Sequence, residues 1–330
     1  MKLKSQLSIA SCFAKAKLFK IRTPIALSWA VTYRCNYKCK YCKDWNLKTD
    51  EVSTSKALEI IDKLRQLGLQ RINFTGGEPL VKDNIYQLIN YAKEKGIFVC
   101  LNSNGSLVSQ NIQKLKQLDM LILSIEGSEE IHDLIRQKDS FQSIILAVKA
   151  AQSNNLKVRF SATLNKLNSD YIEDLILLAN QFHTSVAFQP INFYFLKTKE
   201  HNPLLAQKDV FVEAVKRIIR YKMDFKYRNN ISNSFSGLKY LLDWPDLKPM
   251  DCAFGKIFFR IDPNGKMYPC IQQELQEHTI DLTKLETEKI KKKINDINLD
   301  FQCSCGCSNR IEANLAWNLR LQSGYESFKL

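Results

Sequence analysis

Cys35-Asn36-Tyr37-Lys38-Cys39-Lys40-Tyr41-Cys42 sets three cysteines four and three positions apart within eight residues. If the stretch is a loop, the three sulfurs can converge on one centre. Thiolates packed this densely suit soft metals or iron–sulfur clusters. A structural zinc would ask for a fourth ligand, often from a second C-x2-C pair. None lies nearby, since the next cysteine is Cys100 and the first histidine is His132. Three ligands with an open corner suit a cluster that must bind a substrate at its fourth iron. Structural zinc, or three unrelated thiols, is the competing reading of the spacing.

The whole chain limits the choice. Its 330 residues accommodate one large domain and a smaller one. Hydrophobic residues make up 45% and charged residues 25%, an ordinary globular composition. No apolar run approaches the ~20 residues of a membrane span. Ten cysteines could signal a secreted disulfide scaffold. Six of them are bunched, however, as Cys35, Cys39 and Cys42 and as Cys303, Cys305 and Cys307. Bunching in a mid-sized chain favours metal ligands in a reducing compartment, hence a cytoplasmic protein. Cys12 and Cys100 lie in apolar contexts and read as plain buried residues. The net charge of +14 favours an anionic partner: nucleic acid, lipid headgroups, a phosphorylated metabolite or an acidic peptide. A Lys-, Asn- and Ile-rich composition also supplies solvated lysines that need no partner.

From residue 25 the chain alternates strand-like and helix-like runs. Strands are expected at 25–32, 71–75, 97–102, 120–125, 157–163 and 185–189. Helices are expected at 53–68, 84–95, 109–118, 141–151, 170–181 and 208–222. Six β-then-α units with short connections imply a parallel sheet with helices outside, and chemistry at the C-terminal ends of the strands. Periodicity weakens between 227 and 249, which places a boundary near residue 230. Beyond it, Asp262-Pro263-Asn264-Gly265 between apolar runs is a hairpin signal. A charged helix at 285–294 and a last helix from about 311 to 323 follow.

Residues 1–24 are basic and carry no acid. Lys15 and Lys17 interrupt any signal-peptide core. On a helix, Leu3, Leu7, Ala10, Ala14, Leu18 and Ile21 fall on one face. The face would pack on the main domain with its lysines in water, or lie on an anionic membrane.

Thr75-Gly76-Gly77-Glu78-Pro79 follows the second strand directly. Glycines allow close backbone approach and their N–H groups can hold a carboxylate, while Glu78 adds an acceptor for an ammonium group. An amino acid carries both charges. Asn102-Ser103-Asn104-Gly105 ends the third strand. Ser124-Ile125-Glu126-Gly127 ends the fourth, with His132-Asp133-Leu134-Ile135-Arg136 after it.

Together these motifs, over roughly residues 25–225, resemble the radical SAM (S-adenosylmethionine) superfamily: the C-x3-C-x2-C loop with Tyr41 before its last cysteine, the GGE(P) turn, a T-N-G-like turn, and the S-[ID]-[DE]-G…H-D-x-I-R segment. The resemblance implies a partial (β/α)6 TIM-type barrel of α/β class. It implies a 4Fe–4S cluster on Cys35, Cys39 and Cys42, with SAM chelating the fourth iron. It implies SAM contacts from Tyr41, Gly76, Gly77, Glu78, Asn104, Ser124 and Arg136, the last two near its ribose or carboxylate. Glu126, where the family more often has Asp, is given no role, and His132 reads as a structural helix residue. One-electron reduction of SAM would yield methionine and a 5′-deoxyadenosyl radical that takes hydrogen from the substrate.

In the tail, Cys252-x12-Gly265-x4-Cys270 resembles the opening of the SPASM/twitch domains that follow many such barrels. The remaining Cys303, Cys305 and Cys307 are fewer than a full SPASM domain carries, so one second 4Fe–4S cluster is expected, with zinc on the same ligands as the alternative. The expected division is a basic segment at 1–24, the barrel at 25–230 and a small cluster-binding domain at 231–330. Implied partners are an external electron donor of flavodoxin or ferredoxin type and a peptide or small-metabolite substrate, which the charge allows to be anionic. Nucleic acid is not favoured. Thirty-four residues precede Cys35, so recognition of a leader peptide is expected to come from elsewhere. Two alternatives stand beside this: a lipid- or glycan-modifying enzyme with peripheral membrane contact, and a non-catalytic iron–sulfur or zinc protein. The intact Gly76-Gly77-Glu78 argues against the latter.

Overall fold

The computed structural model describes residues 3–195, 200–270, 278–297, 302–303 and 306–318, with the backbone alone for 3–10 and 302–303. Its elements in chain order are α1 (Leu3–Leu18), β1 (Ala26–Thr32), α2 (Thr54–Gln66), β2 (Arg71–Gly76), α3 (Ile85–Glu94), β3 (Phe98–Ser103), α4 (Val108–Asn111), β4 (Met120–Ser124), α5 (Glu129–Ile135), α6 (Ser140–Ser153), β5 (Val158–Leu164), α7 (Ile172–Gln181) and β6 (Val186–Pro190). Then come α8 (Lys208–Met223), α9 (Phe235–Leu241), β7 (Met250–Asp251), β8 (Phe258–Ile261), β9 (Lys266–Tyr268), β10 (Ile280–Asp281), α10 (Thr287–Asp296), β11 (Gln302–Cys303) and α11 (Ser308–Trp317).

Strands β1 to β6 pair in parallel in sequence order, as six β-then-α units require. Alternation along each strand separates two faces. Trp29, Phe74, Leu101, Leu123 and Phe160 point to the helices and join Ile60, Ile61, Leu64, Ile89 and Val148 in one core. Each such side chain contributes about 1.5–3 kcal/mol on full burial. The opposite face carries Ser28, Asn73, Cys100, Asn102, Arg159 and Ser161 and lines the barrel interior. Local chemistry explains the helix starts: the Ser53 hydroxyl accepts from Lys56 N (3.3 Å) ahead of α2, whose apolar face is Ala57, Ile60, Ile61 and Leu64.

The expected hairpin at 257–268 forms, as β8 and β9. Its first strand pairs in parallel with β1, extending the sheet to the order β10-β9-β8-β1-β2-β3-β4-β5-β6. Leu238, Leu241, Phe259, Ile261, Leu282 and Ile290, all beyond residue 230, belong to the same hydrophobic core as the barrel.

The two-residue strands β7, β10 and β11 were not expected, and three helical elements differ from expectation. The helix expected at 109–118 is the short α4 followed by a 3-10 turn at Ile112–Leu115. Asn111 Nδ2 donates to the Leu107 carbonyl (2.9 Å), a side-chain bond that competes with helix propagation. The seven-residue α9 was not expected. It is too short to show periodicity, and its start rests on the Ser234 hydroxyl accepting from Gly237 N (2.9 Å). Finally, α11 begins at Ser308 rather than near 311, and residues from 319 lie outside the described set.

Helix α1 packs through Ala16, with Cys12 and Phe13, on Ile25, Ala253, Ile257 and Trp317. Phe13 meets the Trp317 ring edge-on at 5.4 Å and Lys17 lies over it at 4.5 Å. The packed seam is therefore rotated from the expected stripe, because the small Ala16 lets the helix approach Trp317. Leu18, Phe19 and Ile21 are left exposed. Among the described residues no helix is long and apolar enough to cross a membrane.

Candidate active site at the C-terminal ends of the strands

The turn after β2 closes onto the chain that leaves β1 for the cysteine loop. Gly77 N donates to the Thr32 carbonyl (2.9 Å) and Glu78 N to the Arg34 carbonyl (3.0 Å). A Cβ on Gly76, whose φ is +132°, would stand 2.0 Å from the Thr32 oxygen, and one on Gly77 would stand 2.3 Å from the Arg34 oxygen. Only glycine permits this approach. The two glycines thus fix where the cysteine loop starts, and the N–H groups of Gly77 and Glu78 are engaged by that chain.

Glu78 is fully buried. Its Oε1 accepts from Leu80 N (3.1 Å) and Ser103 Oγ (3.0 Å), and its Oε2 from Asn104 N (2.7 Å). Burial pushes its carboxyl up to about 7, against the opposing pull of those donors. Asn104 continues the link. Its Nδ2 donates to Asn36 Oδ1 (2.9 Å) inside the cysteine loop, and Asn36 Nδ2 donates to Ser106 Oγ (2.8 Å). The end of β3 therefore holds the loop's first half.

The loop's second half is held by a residue that sequence reasoning left without a role. Glu126, at the end of β4, is fully buried. Its Oε1 accepts from Tyr41 OH (2.8 Å) and from Arg136 Nη2 (2.7 Å) and Nε (3.1 Å), while its Oε2 accepts from Thr163 N (3.1 Å). Arg136 Nη2 also donates to Tyr41 OH. A buried carboxylate with one guanidinium and two further donors is fully compensated. Lys40 N donates to the Ile135 carbonyl (2.9 Å), tying the loop to the end of α5. His132 Nδ1 accepts from Glu126 N (3.2 Å), and burial with the Arg136 charge holds its imidazole neutral. That is the structural helix role expected of it. Ser124 is half-buried on the interior face, paired in register with Ser161.

Cys35, Cys39 and Cys42 are free thiols on this loop, each partly accessible. Burial pushes Cys35 up to about 11, Cys42 up to about 12, and Cys39 upward. Thiols in such a setting become thiolates when a metal supplies the counter-charge. Tyr37 N donates to Cys35 Sγ (3.4 Å) and Asn104 Nδ2 approaches it at 4.0 Å, contacts suited to a sulfur that carries charge. Among the described residues, no three His, Cys, Asp or Glu side chains close on the point of a single metal ion. A four-iron cluster takes one thiolate per iron and does not ask them to. The all-sulfur donor set, held on two sides by hydrogen bonds, fits such a cluster.

Of the tail cysteines, Cys252 and Cys307 pack together with Phe254. Asn314 Nδ2 lies 3.7 Å from Cys252 Sγ, and Cys307 Sγ lies 3.6 Å from Gln189 Oε1 of β6. The β11–β7 pair puts the Cys303 backbone opposite Met250, two residues before Cys252. Cys270 is buried, two residues after β9. Cys305 lies outside the described residues, as does the side chain of Cys303.

The family model described as the radical SAM superfamily matches residues 29–179. Among solved structures, Streptococcus suis SuiB bound to S-adenosylmethionine is 18% identical, with a TM-score of 0.63 over 78% of this chain and 63% of that chain. SuiB bound to its precursor peptide SuiA is 15% identical, with a TM-score of 0.67 over 86% of this chain and 68% of that one. Native anSMEcpe with bound AdoMet and Cp18Cys peptide is 16% identical, with a TM-score of 0.65 over 83% and 81%. At these identities the likeness is one of fold, and the chain spans 63% of the length of the first SuiB chain.

Proposed function

We propose that the protein is a radical SAM enzyme that acts on a peptide or small metabolite, since residues 29–179 match the family model of the radical SAM superfamily. The observation that carries the proposal is the cysteine loop held at the strand ends by Asn104 on one side and by Glu126 with Arg136 on the other. Cys35, Cys39 and Cys42 would hold a 4Fe–4S cluster, which, reduced by a flavodoxin- or ferredoxin-type donor, would supply the electron for reductive cleavage of S-adenosylmethionine and hence for hydrogen abstraction from the substrate.

The chain's own residues position and enclose. Gly76 and Gly77 set the start of the loop, and Tyr41 anchors its end. Ser124 and the Asn104 turn border the space in which SAM would lie. A peptide substrate is supported by the relatives, since SuiB and anSMEcpe were each solved with a peptide bound. We assign a second cluster to Cys252, Cys270 and two of Cys303, Cys305 and Cys307, in the segment after residue 230. The pairing of Cys252 with Cys307 supports that assignment.

The test is anaerobic incubation of the iron-reconstituted, reduced protein with SAM. Methionine and 5′-deoxyadenosine in equal amounts are expected, and a protein loaded with iron that forms neither would reject the proposal.

A second reading, contact with an anionic membrane, rests on Leu18, Phe19 and Ile21 being exposed beside Lys15, Lys17, Lys20 and Arg22. Low-salt sedimentation with anionic vesicles should then pull down the full chain and not one lacking residues 2–20. Equal behaviour of the two forms removes this reading.

A further inference from the structure

The barrel interior contains a cation without a counter-charge. Arg159, the second residue of β5, is 4% exposed and points away from the helices. Its Nε is buried with no hydrogen-bond partner, and among the described residues its guanidinium has no ion pair. The other interior arginines are placed differently. Arg260 pairs with Asp262 (3.3 Å), and Arg71 donates to Cys100 Sγ (3.4 Å) and stacks on Phe98. Arg71 is close enough that its charge, together with burial, pulls the Arg159 guanidinium down to about 10.

Strands β3 and β2, two and three places along the sheet from β5, add unmet polar groups on the same face. Asn102 of β3 lies level with Ile122 of β4, which lies level with Arg159. Asn73 of β2 pairs with Cys100, two residues below Asn102. The Oδ1 atoms of Asn73 and Asn102 are buried without a donor. Three unsatisfied polar atoms on one face of the sheet would cost stability in an empty barrel, because buried polar groups are normally paired. An uncompensated buried cation costs still more. Asn73, Asn102 and Ser161 are only half-buried, so the interior is not closed by side chains as the helix face is.

We propose that Arg159, on the same interior face as Asn73 and Asn102, is the receptor for an oxyanion of the substrate, a carboxylate or a phosphate, at the floor of the barrel. This rests on the enzymatic reading above and narrows it to substrates carrying such a group. Guanidinium matches both oxyanions through paired N–H donors, and the asparagine oxygens accept from N–H or O–H groups beside the charge. The placement has a length consequence. Thr163, whose N–H reaches the Glu126 network, lies four positions further along the strand than Arg159. That distance is roughly 13 Å. A molecule anchored on Arg159 would extend up the barrel toward the cysteine loop.

The test uses thermal unfolding of the cluster-loaded protein at constant ionic strength, titrated separately with acetate and with inorganic phosphate against chloride. The wild-type midpoint should rise with one of the two, and which one distinguishes a carboxylate from a phosphate. In Arg159→Gln the apparent dissociation constant should increase about tenfold or more. Arg159→Lys, which keeps the charge, should be weakened less. Arg217→Gln, at the surface pair with Glu173, should respond as the wild type does. No stabilisation of the wild type by either anion overturns the proposal without recourse to any variant, as does an unchanged response in Arg159→Gln. SAM cleavage by the wild type is measured separately. Its absence would remove the enzymatic reading, while the anion titration would still decide the role of Arg159.

Discussion

Glu78 shows at the level of one residue how a motif can be legible and its local role hidden. The Gly-Gly-Glu turn could be found in the sequence because its members are adjacent. That the Glu78 carboxylate would be filled by Leu80 N, Ser103 Oγ and Asn104 N could not, since two of those partners arrive from the next strand. Glu126 is the stronger case. Tyr41 lies 85 positions from it and Thr163 lies 37, so no local pattern marks it as the hub that it is.

The buried Glu78 has a pH consequence. Burial raises its carboxyl from 4.5 to about 7 in the folded state. Folding therefore takes up a proton between those values, and the contribution of this group to stability falls as pH rises from about 4.5 to 7. The full effect is roughly 3 kcal/mol. Glu78→Gln should flatten the fall in unfolding free energy across that window. An identical slope in the variant would show that Glu78 titrates normally.

Among the elements, the six strands were readable as apolar-rich runs of five to seven residues, and most helices because their faces repeat over ten or more. The misses have local causes: the Asn111 side-chain bond that cuts α4 short, and an α9 of seven residues. The hairpin was legible from Asp262-Pro263-Asn264-Gly265, but its attachment to β1 was not. Parallel pairing between Ala26 and Phe258 is a contact across most of the chain.

The close approach of the β1 and β2 ends carries a prediction at this scale. Gly77→Ala would drive a methyl group to 2.3 Å from the Arg34 carbonyl. The strand ends must separate, at a cost of about 1–3 kcal/mol. Because that contact places the cysteine loop, iron bound per folded chain should fall more steeply than the melting temperature suggests. A variant with wild-type iron content would show that the loop is positioned by Asn104 and Glu126 alone.

For the whole molecule, the interior and exterior of one sheet divide the work. The helix face supplies the stability, and the interior face carries Ser124, Asn102 and Arg159 below a ring of loops held by hydrogen bonds. The tail extends the sheet and shares its core, so a second cluster on the tail cysteines would sit on the same rigid body as the first. Fold class was legible because strand and helix runs alternate along residues 25–222, and the cysteine loop was legible as a loop because its spacing lies within eight residues. That Cys252 and Cys307 meet was not legible, because they come together through tertiary packing.

Radical SAM chemistry in this protein requires that the loop at 35–42 hold a cluster that binds SAM. Electron paramagnetic resonance of the reduced, reconstituted protein, recorded with and without SAM, reads this directly. The wild type should show a reduced-cluster signal that shifts on adding SAM. In Cys39→Ala the SAM-sensitive component should disappear while about four irons and a SAM-insensitive signal remain on the tail cysteines. A wild-type spectrum indifferent to SAM, or a SAM-sensitive signal surviving in Cys39→Ala, would contradict the account.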